Sequence, residues 1–207
     1  MGASSEGAVT STVSSRRLGV VMVVCGFVGG LAAAVLLIEK IRTLQDPTYI
    51  PSCSLSPILS CGSVMASDQA EAFGFPNPIV GVAGFSVVAS IGVAAASGAV
   101  LTRWLWIGMQ AGVLFGVGFV HWLAFQSLYR LDTVCPYCLV VWLVTIALFV
   151  YVTRFNLLAG HLGLPARWQR AAAAVFDLHG VVLTAWYLVF VAVIGQRFWW
   201  YWSDVLG

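Results

Sequence analysis

"CPYCLVVWLVTIALFVYVT", residues 135–153, decides the fold. Two thiols stand three positions apart in its first four residues, and no charged residue follows up to Thr153. A helix needs about 20 apolar residues to cross a bilayer, so the segment reads as a membrane span with a CxxC at its mouth. Pro136 fixes the start of that helix, because proline is favoured at the first helical position and breaks the interior. Cys135 is then the N-cap and Cys138 lies in the first turn. Unsatisfied backbone N–H groups and the positive end of the helix macrodipole favour the thiolate of Cys135. A spacing of three brings both sulfurs to one face, within disulfide reach. At 1.5 Å per residue Cys138 sits about 4.5 Å deeper than Cys135, so the first thiol is expected to face water and the second the bundle interior.

The composition agrees with a membrane setting. Of 207 residues, 60% are hydrophobic and 9% charged, and the mean hydropathy is +0.95, which excludes a soluble domain with a charged shell. Apolar runs of spanning length cover 18–38, 79–101, 104–125, 135–153 and 180–200. The first run is longer than a signal-peptide core and is read as an uncleaved anchor. Residues 1–17 are expected to form a disordered cytoplasmic amino terminus, and 18–207 a single transmembrane domain with a long outer loop at 39–78. A net charge of +2 with dispersed basic residues gives no footprint for nucleic acid. With the amino terminus inside, Arg16, Arg17, Arg103, Arg154, Arg167 and Arg170 are cytoplasmic, and Lys40, Arg42, Arg130 and Arg197 lie outside. Phe198 to Trp202 would form an aromatic belt at the outer interface. Gly108, Gly112 and Gly116 recur at every fourth residue and are expected to serve close helix packing.

That orientation places two cysteine pairs on the extracytoplasmic side, where disulfides persist: Cys53 with Cys61 in the long loop, and Cys135 with Cys138. Cys25, alone in the first span, reads as a small buried hydrophobe. No metal site is expected, since His121, His161 and His179 are scattered and cannot complete a CxxC ligand set. There is no G-x-G-x-x-G for a soluble dinucleotide. An apolar two-electron acceptor living in the bilayer, a quinone, fits the inward position of Cys138. In the loop, Ser56 before Pro57 suggests a short helix carrying Cys61, and Asp68 with Glu71, ending at Gly74, suggests a second turn with a cap-like start. The loop pair is either a permanent staple or an exchanging disulfide. In the second case a reduced protein outside passes electrons to the loop pair, then to Cys135–Cys138, and Cys138 passes them to quinone. His121 is a candidate for proton delivery or a hydrogen-bonded packing residue.

The C-x7-C of Cys53 and Cys61, "FGFPNPIVG" at 73–81 and "DTVCPYC" before the fourth span together make this chain similar to the vitamin K epoxide reductase family, in its bacterial disulfide-forming branch. The resemblance covers about residues 18–153. It implies an all-α membrane protein, a four-helix transmembrane bundle around a quinone, here with a fifth transmembrane helix. It implies an oxidoreductase of the bacterial cytoplasmic membrane that uses a menaquinone- or ubiquinone-type acceptor. The catalytic residues would be Cys53, Cys61, Cys135 and Cys138, with Cys138 beside the quinone and Asn77 hydrogen-bonding its carbonyl. The donor would be a thioredoxin-fold, DsbA-like protein, and because no such domain follows the fifth helix, a separate one. Cys61 is taken as the partner contact, leaving Cys53 to reach Cys135. Rival expectations are reduction of a quinone or quinone epoxide through the same thiols, and a non-enzymatic redox sensor or transporter. Transport sits poorly with spans that hold almost no ionisable residue.

Overall fold

The computed structural model describes the backbone of residues 3–206 and the side chains of 15–201 and 203; residues 1, 2 and 207 lie outside the described residues. The helices in chain order are α1 (Ala3–Gln45), α2 (Cys61–Met65), α3 (Pro78–Ala96), α4 (Arg103–Tyr129), α5 (Pro136–Leu158), α6 (Ala166–Asp177), α7 (His179–Arg197) and α8 (Trp199–Leu206), with a 3-10 turn at Asp68–Glu71. Among the described residues, five segments are long and apolar enough to cross a membrane: Ser15–Gln45, Pro78–Ala96, Arg103–Tyr129, Pro136–Leu158 and His179–Arg197. The protein is an all-α multi-pass membrane protein.

Helix boundaries depart from the expected ones where local chemistry outweighs hydropathy. The chain expected to be disordered before residue 18 is helical from Ala3 onward, and no proline or charge run interrupts it before the span. α3 ends at Ala96 rather than residue 101, because Gly98 turns the chain at φ +87. α4 and α5 each continue about a turn beyond their apolar runs, to Tyr129 and Leu158. Polar residues at helix ends extend a hydrogen-bonded ladder into the interface without entering hydrocarbon.

α1 packs along α3 and α5, and α4 packs on α5, while α3 and α4 make no comparable contact with each other. The α1–α3 seam is built on small residues: a Cβ added to Gly92 would stand 2.8 Å from the Met22 Cβ, and one on Gly26 would stand 2.9 Å from the Ala89 Cβ. Backbones that approach this closely gain dispersion contacts, the main source of helix association in lipid. The expected stripe at Gly108, Gly112 and Gly116 divides: a Cβ added to Gly116 would stand 3.3 Å from Thr145 Cγ2 of α5, a close helix contact, whereas Gly108 and Gly112 do something else. An added Cβ there meets nothing within 4 Å, and both glycines line a cavity between α3 and α4. At the inner end Gln110 donates to Thr153 Oγ1 at 2.9 Å, and Asn156 donates to Gln110 Oε1 and to the Trp106 carbonyl, each at 3.1 Å. These buried amides satisfy one another, as groups far from water must.

Candidate thiol–disulfide centre

All four paired cysteines lie at one end of the bundle. α1 delivers the chain to that end and supplies two charged anchors for the loop that follows. Glu39 accepts from the Tyr49 hydroxyl and from the Ser52 hydroxyl, both at 2.9 Å. Lys40 donates to the Met65 carbonyl at 2.7 Å and pairs with Glu71 at 3.0 Å. Both side chains are buried, which costs free energy unless their charges are met, and each is met by a different part of the loop. Sequence reasoning missed this function and used Lys40 only for orientation.

Between the anchors the loop carries the first cysteine pair. Cys53 and Cys61 form a disulfide, with Cα atoms 5.6 Å apart. The expected helix start at Ser56–Pro57 is not found: the chain turns there, with the Leu59 N–H donating to the Ser56 carbonyl at 3.1 Å, and α2 begins at Cys61 itself. Ser60 is the N-cap and accepts from the Ser63 N–H through its side chain. The second turn forms at Asp68–Glu71, but Ser67 rather than Asp68 precedes it, and no side-chain cap forms.

A one-residue parallel bridge, Leu59 to Val134, joins the loop to the entry of α5. Val134 N–H donates to the Ile58 carbonyl at 2.9 Å and Ser60 N–H to the Val134 carbonyl at 3.1 Å. Two residues past Leu59 comes Cys61, and one past Val134 comes Cys135. The register therefore sets the two sulfurs side by side, at 3.1 Å. Both are fully buried. The structure sets Cys61, rather than the expected Cys53, against Cys135, and Cys53, at 5% exposure, is the more accessible of the loop pair.

Cys135 is the N-cap of α5 with Pro136 at the first helical position, as read from the sequence. The Cys138 thiol, donating to Cys135, holds its pKa below the ordinary thiol range; backbone N–H groups of Cys138 and Tyr137 add to this, and burial opposes it. Cys138 is half-buried. Both cysteines of the CxxC are free thiols beside the loop disulfide, and both reach the wall of a cavity of about 820 Å³. The cavity runs between α3 and α4 and is lined chiefly by apolar side chains, among them Phe75, Phe85, Phe119, Val120 and Leu123. Its volume and apolar wall suit a lipophilic ring with part of a tail.

Asn77 also lines the cavity, at the start of α3. Its Oδ1 accepts from the Ala72 N–H at 3.0 Å and its Nδ2 donates to the Gln69 carbonyl at 2.7 Å. One amide hydrogen remains beyond those loop contacts. His121 does not line the cavity. Its Nδ1–H donates to the Val117 carbonyl at 2.7 Å, and its Nε2 accepts from the Trp186 indole N–H at 3.1 Å, so it ties α4 to α7. No group of three or more potential metal ligands occurs among the described residues.

A loop disulfide in van der Waals contact with a helix-capping thiol, itself paired with a thiol on the wall of an apolar membrane cavity, defines a membrane-embedded thiol–disulfide centre. The family model described as "Vitamin K epoxide reductase family" matches residues 20–153, which hold every cysteine of that centre. The chain belongs to the vitamin K epoxide reductase family, whose members are oxidoreductases with quinone-linked thiol chemistry. No curated protein matches the chain.

Proposed function

We propose that this protein is a quinone-dependent thiol oxidase that drives disulfide formation outside the cytoplasm. The observation that carries the reading is the 3.1 Å contact between Cys61 and Cys135 beside a cavity that Cys138 helps to line. Electrons enter at Cys53, whose neighbours Ile50 and Leu55 are exposed and offer apolar contact to a separate thioredoxin-fold, DsbA-like donor. The donor's dithiol reduces Cys53–Cys61 and leaves as a disulfide. The Cys61 thiolate then attacks Cys135 of an oxidised Cys135–Cys138 pair, releasing the Cys138 thiolate. Cys53 resolves the Cys61–Cys135 mixed disulfide, which restores the loop disulfide and leaves two thiols at the CxxC.

The quinone, of menaquinone or ubiquinone type, supplies an acceptor for two electrons and two protons. Cys138 faces it, and Asn77 donates its remaining amide hydrogen to the acceptor's carbonyl. Oxidation of Cys135 and Cys138 to a disulfide balances that reduction, with no other reductant involved. The enzyme lies in the bacterial cytoplasmic membrane with its amino terminus inside. Six basic residues at the inner loops against four at the outer end support this orientation.

The test is Cys138→Ala. With Cys138 absent, the Cys135 thiolate has only Cys61 of the loop disulfide to attack, releasing the Cys53 thiolate; the resulting Cys61–Cys135 bond is captured by acid quenching and alkylation as a gel shift, and quinone reduction stops. Undiminished quinone reduction by that variant ends the reading.

A further inference from the structure

The family match stops at residue 153, yet the end of α7 reaches back to the redox centre. Asp132 opens the segment that delivers Cys135, and it is the single non-glycine residue with positive φ among the described residues, at 51°. A side chain in the left-handed region is strained relative to glycine, although Asp and Asn are the least penalised. Glycine would serve if conformation alone were needed. Asp132 instead carries a carboxylate that pairs with Arg197, the last residue of α7. Arg197 Nε also donates to the Leu128 carbonyl at 2.8 Å, in the final turn of α4. One guanidinium therefore joins the end of α4 to the turn that follows it, using the fork geometry that lysine lacks.

The next residue supplies the grip. Phe198 is 1% exposed and packs in a cluster with Ile58, Val120, Leu128, Val134 and Trp142. Ile58 and Val134 are hydrogen-bonded partners in the strand-like contact that aligns Cys61 with Cys135. Trp186, three turns earlier, ties α7 to His121 of α4. The Arg197–Asp132 pair is partly solvent-exposed and would be weak as an isolated ion pair, so its meaning lies in what it orients.

We infer that the α7 terminus, through Arg197 and Phe198, positions the Asp132–Cys135 segment so that Cys135 stays in exchange distance of Cys61. Arg197 and Asp132 are positioning residues; they touch no reacting sulfur. The inference deepens the proposed relay, and it concerns only the sulfur-to-sulfur step, which needs no quinone.

The test uses the full chain carrying Cys53→Ala and Cys138→Ala, in which Cys61 and Cys135 are the cysteines left at the centre. It is equilibrated in detergent with glutathione buffers of graded potential, and the fraction of Cys61–Cys135 bond is read by gel shift. Arg197→Gln, Asp132→Asn and Asp132→Gly should each lower the equilibrium constant for that bond about tenfold, Arg197→Lys should recover part of the loss, and the Arg197→Gln/Asp132→Asn double variant should fall no further than either single. Thermal unfolding is followed in parallel, and Arg197→Gln should retain the parent's midpoint within a few degrees. An unchanged constant in Arg197→Gln, or a parental constant in Asp132→Gly, overturns the inference, as does additive loss in the double variant. If Arg197→Gln unfolds, Asp132→Asn and Asp132→Gly decide by the same reading. Failure of the proposed function would show separately, as a parent that forms the bond normally while the unmutated chain reduces no quinone.

Discussion

Cys135 joins the two halves of the centre, touching the loop disulfide through Cys61 and the cavity through Cys138. Its lowered pKa has a definite sign in the chemistry. The thiolate is the nucleophile, so reactivity rises as pH climbs through the pKa of Cys135, and a depressed value moves that rise to lower pH. Alkylation of Cys135, followed by mass spectrometry of its peptide, should therefore show a midpoint below the ordinary thiol value of about 8.5. In a Cys61→Ala background, which keeps Cys135 a free thiol, Cys138→Ala removes the hydrogen bond that contributes most to the depression, and the Cys135 midpoint should move upward. A midpoint that stays put would assign the depression to the backbone N–H groups alone. The sequence exposes the helix-start contribution, since Pro136 fixes the N-cap. It does not expose the thiol-to-thiol bond or the choice of Cys61 over Cys53, because that choice follows from the Leu59–Val134 register, a pairing across 75 positions.

Among the elements, the cysteine loop is the one whose geometry depends most on contacts outside itself. α2 has 5 residues and the following 3-10 turn has 4, too short to be stable as isolated helices in water. Glu39 fixes the loop before Cys53 and Lys40 fixes it after Cys61, so the two anchors bracket the disulfide. Lys40→Met keeps the apolar stem but removes the bonds to the Met65 carbonyl and Glu71. A hydrogen bond to a charged group contributes about 1.5–3 kcal/mol, and a loss of that size should appear as faster protease cleavage between residues 62 and 77 and slower exchange with Cys135, with the spans intact. Unaltered cleavage would mean that the disulfide and the Leu59–Val134 bridge hold the loop without Lys40. Hydropathy reveals the spans around this loop well, since hydrocarbon thickness dictates their length. It reveals little of the loop's own form: Ser56–Pro57 offers a plausible helix start in isolation, but the backbone groups nearby are claimed by Leu59 and Val134.

At the scale of the whole molecule, the asymmetry between the two sides of the bundle places the chemistry. α1 and α3 close on each other through Gly26 and Gly92, whereas α3 and α4 stand apart, and the space between them is the apolar cavity that Cys138 borders. The same residue type thus has opposite effects, and substitution separates them. Gly92→Ala brings a methyl group to 2.8 Å from the Met22 Cβ and the Val23 backbone nitrogen, where overpacking costs about 1–3 kcal/mol, so it should lower the unfolding midpoint. Gly112→Leu meets no atom with its Cβ within 4 Å and should fold as the parent does, while its side chain occupies the cavity. Under the proposed function it should cut quinone reduction at least tenfold, since a methylene-sized clash in an apolar pocket already costs about 1–3 kcal/mol of discrimination and leucine adds four carbons. Exchange between Cys61 and Cys135 should be unaffected, because α4 near Gly112 lies well below the loop. Full quinone reduction by a folded Gly112→Leu enzyme would place the acceptor somewhere other than between α3 and α4.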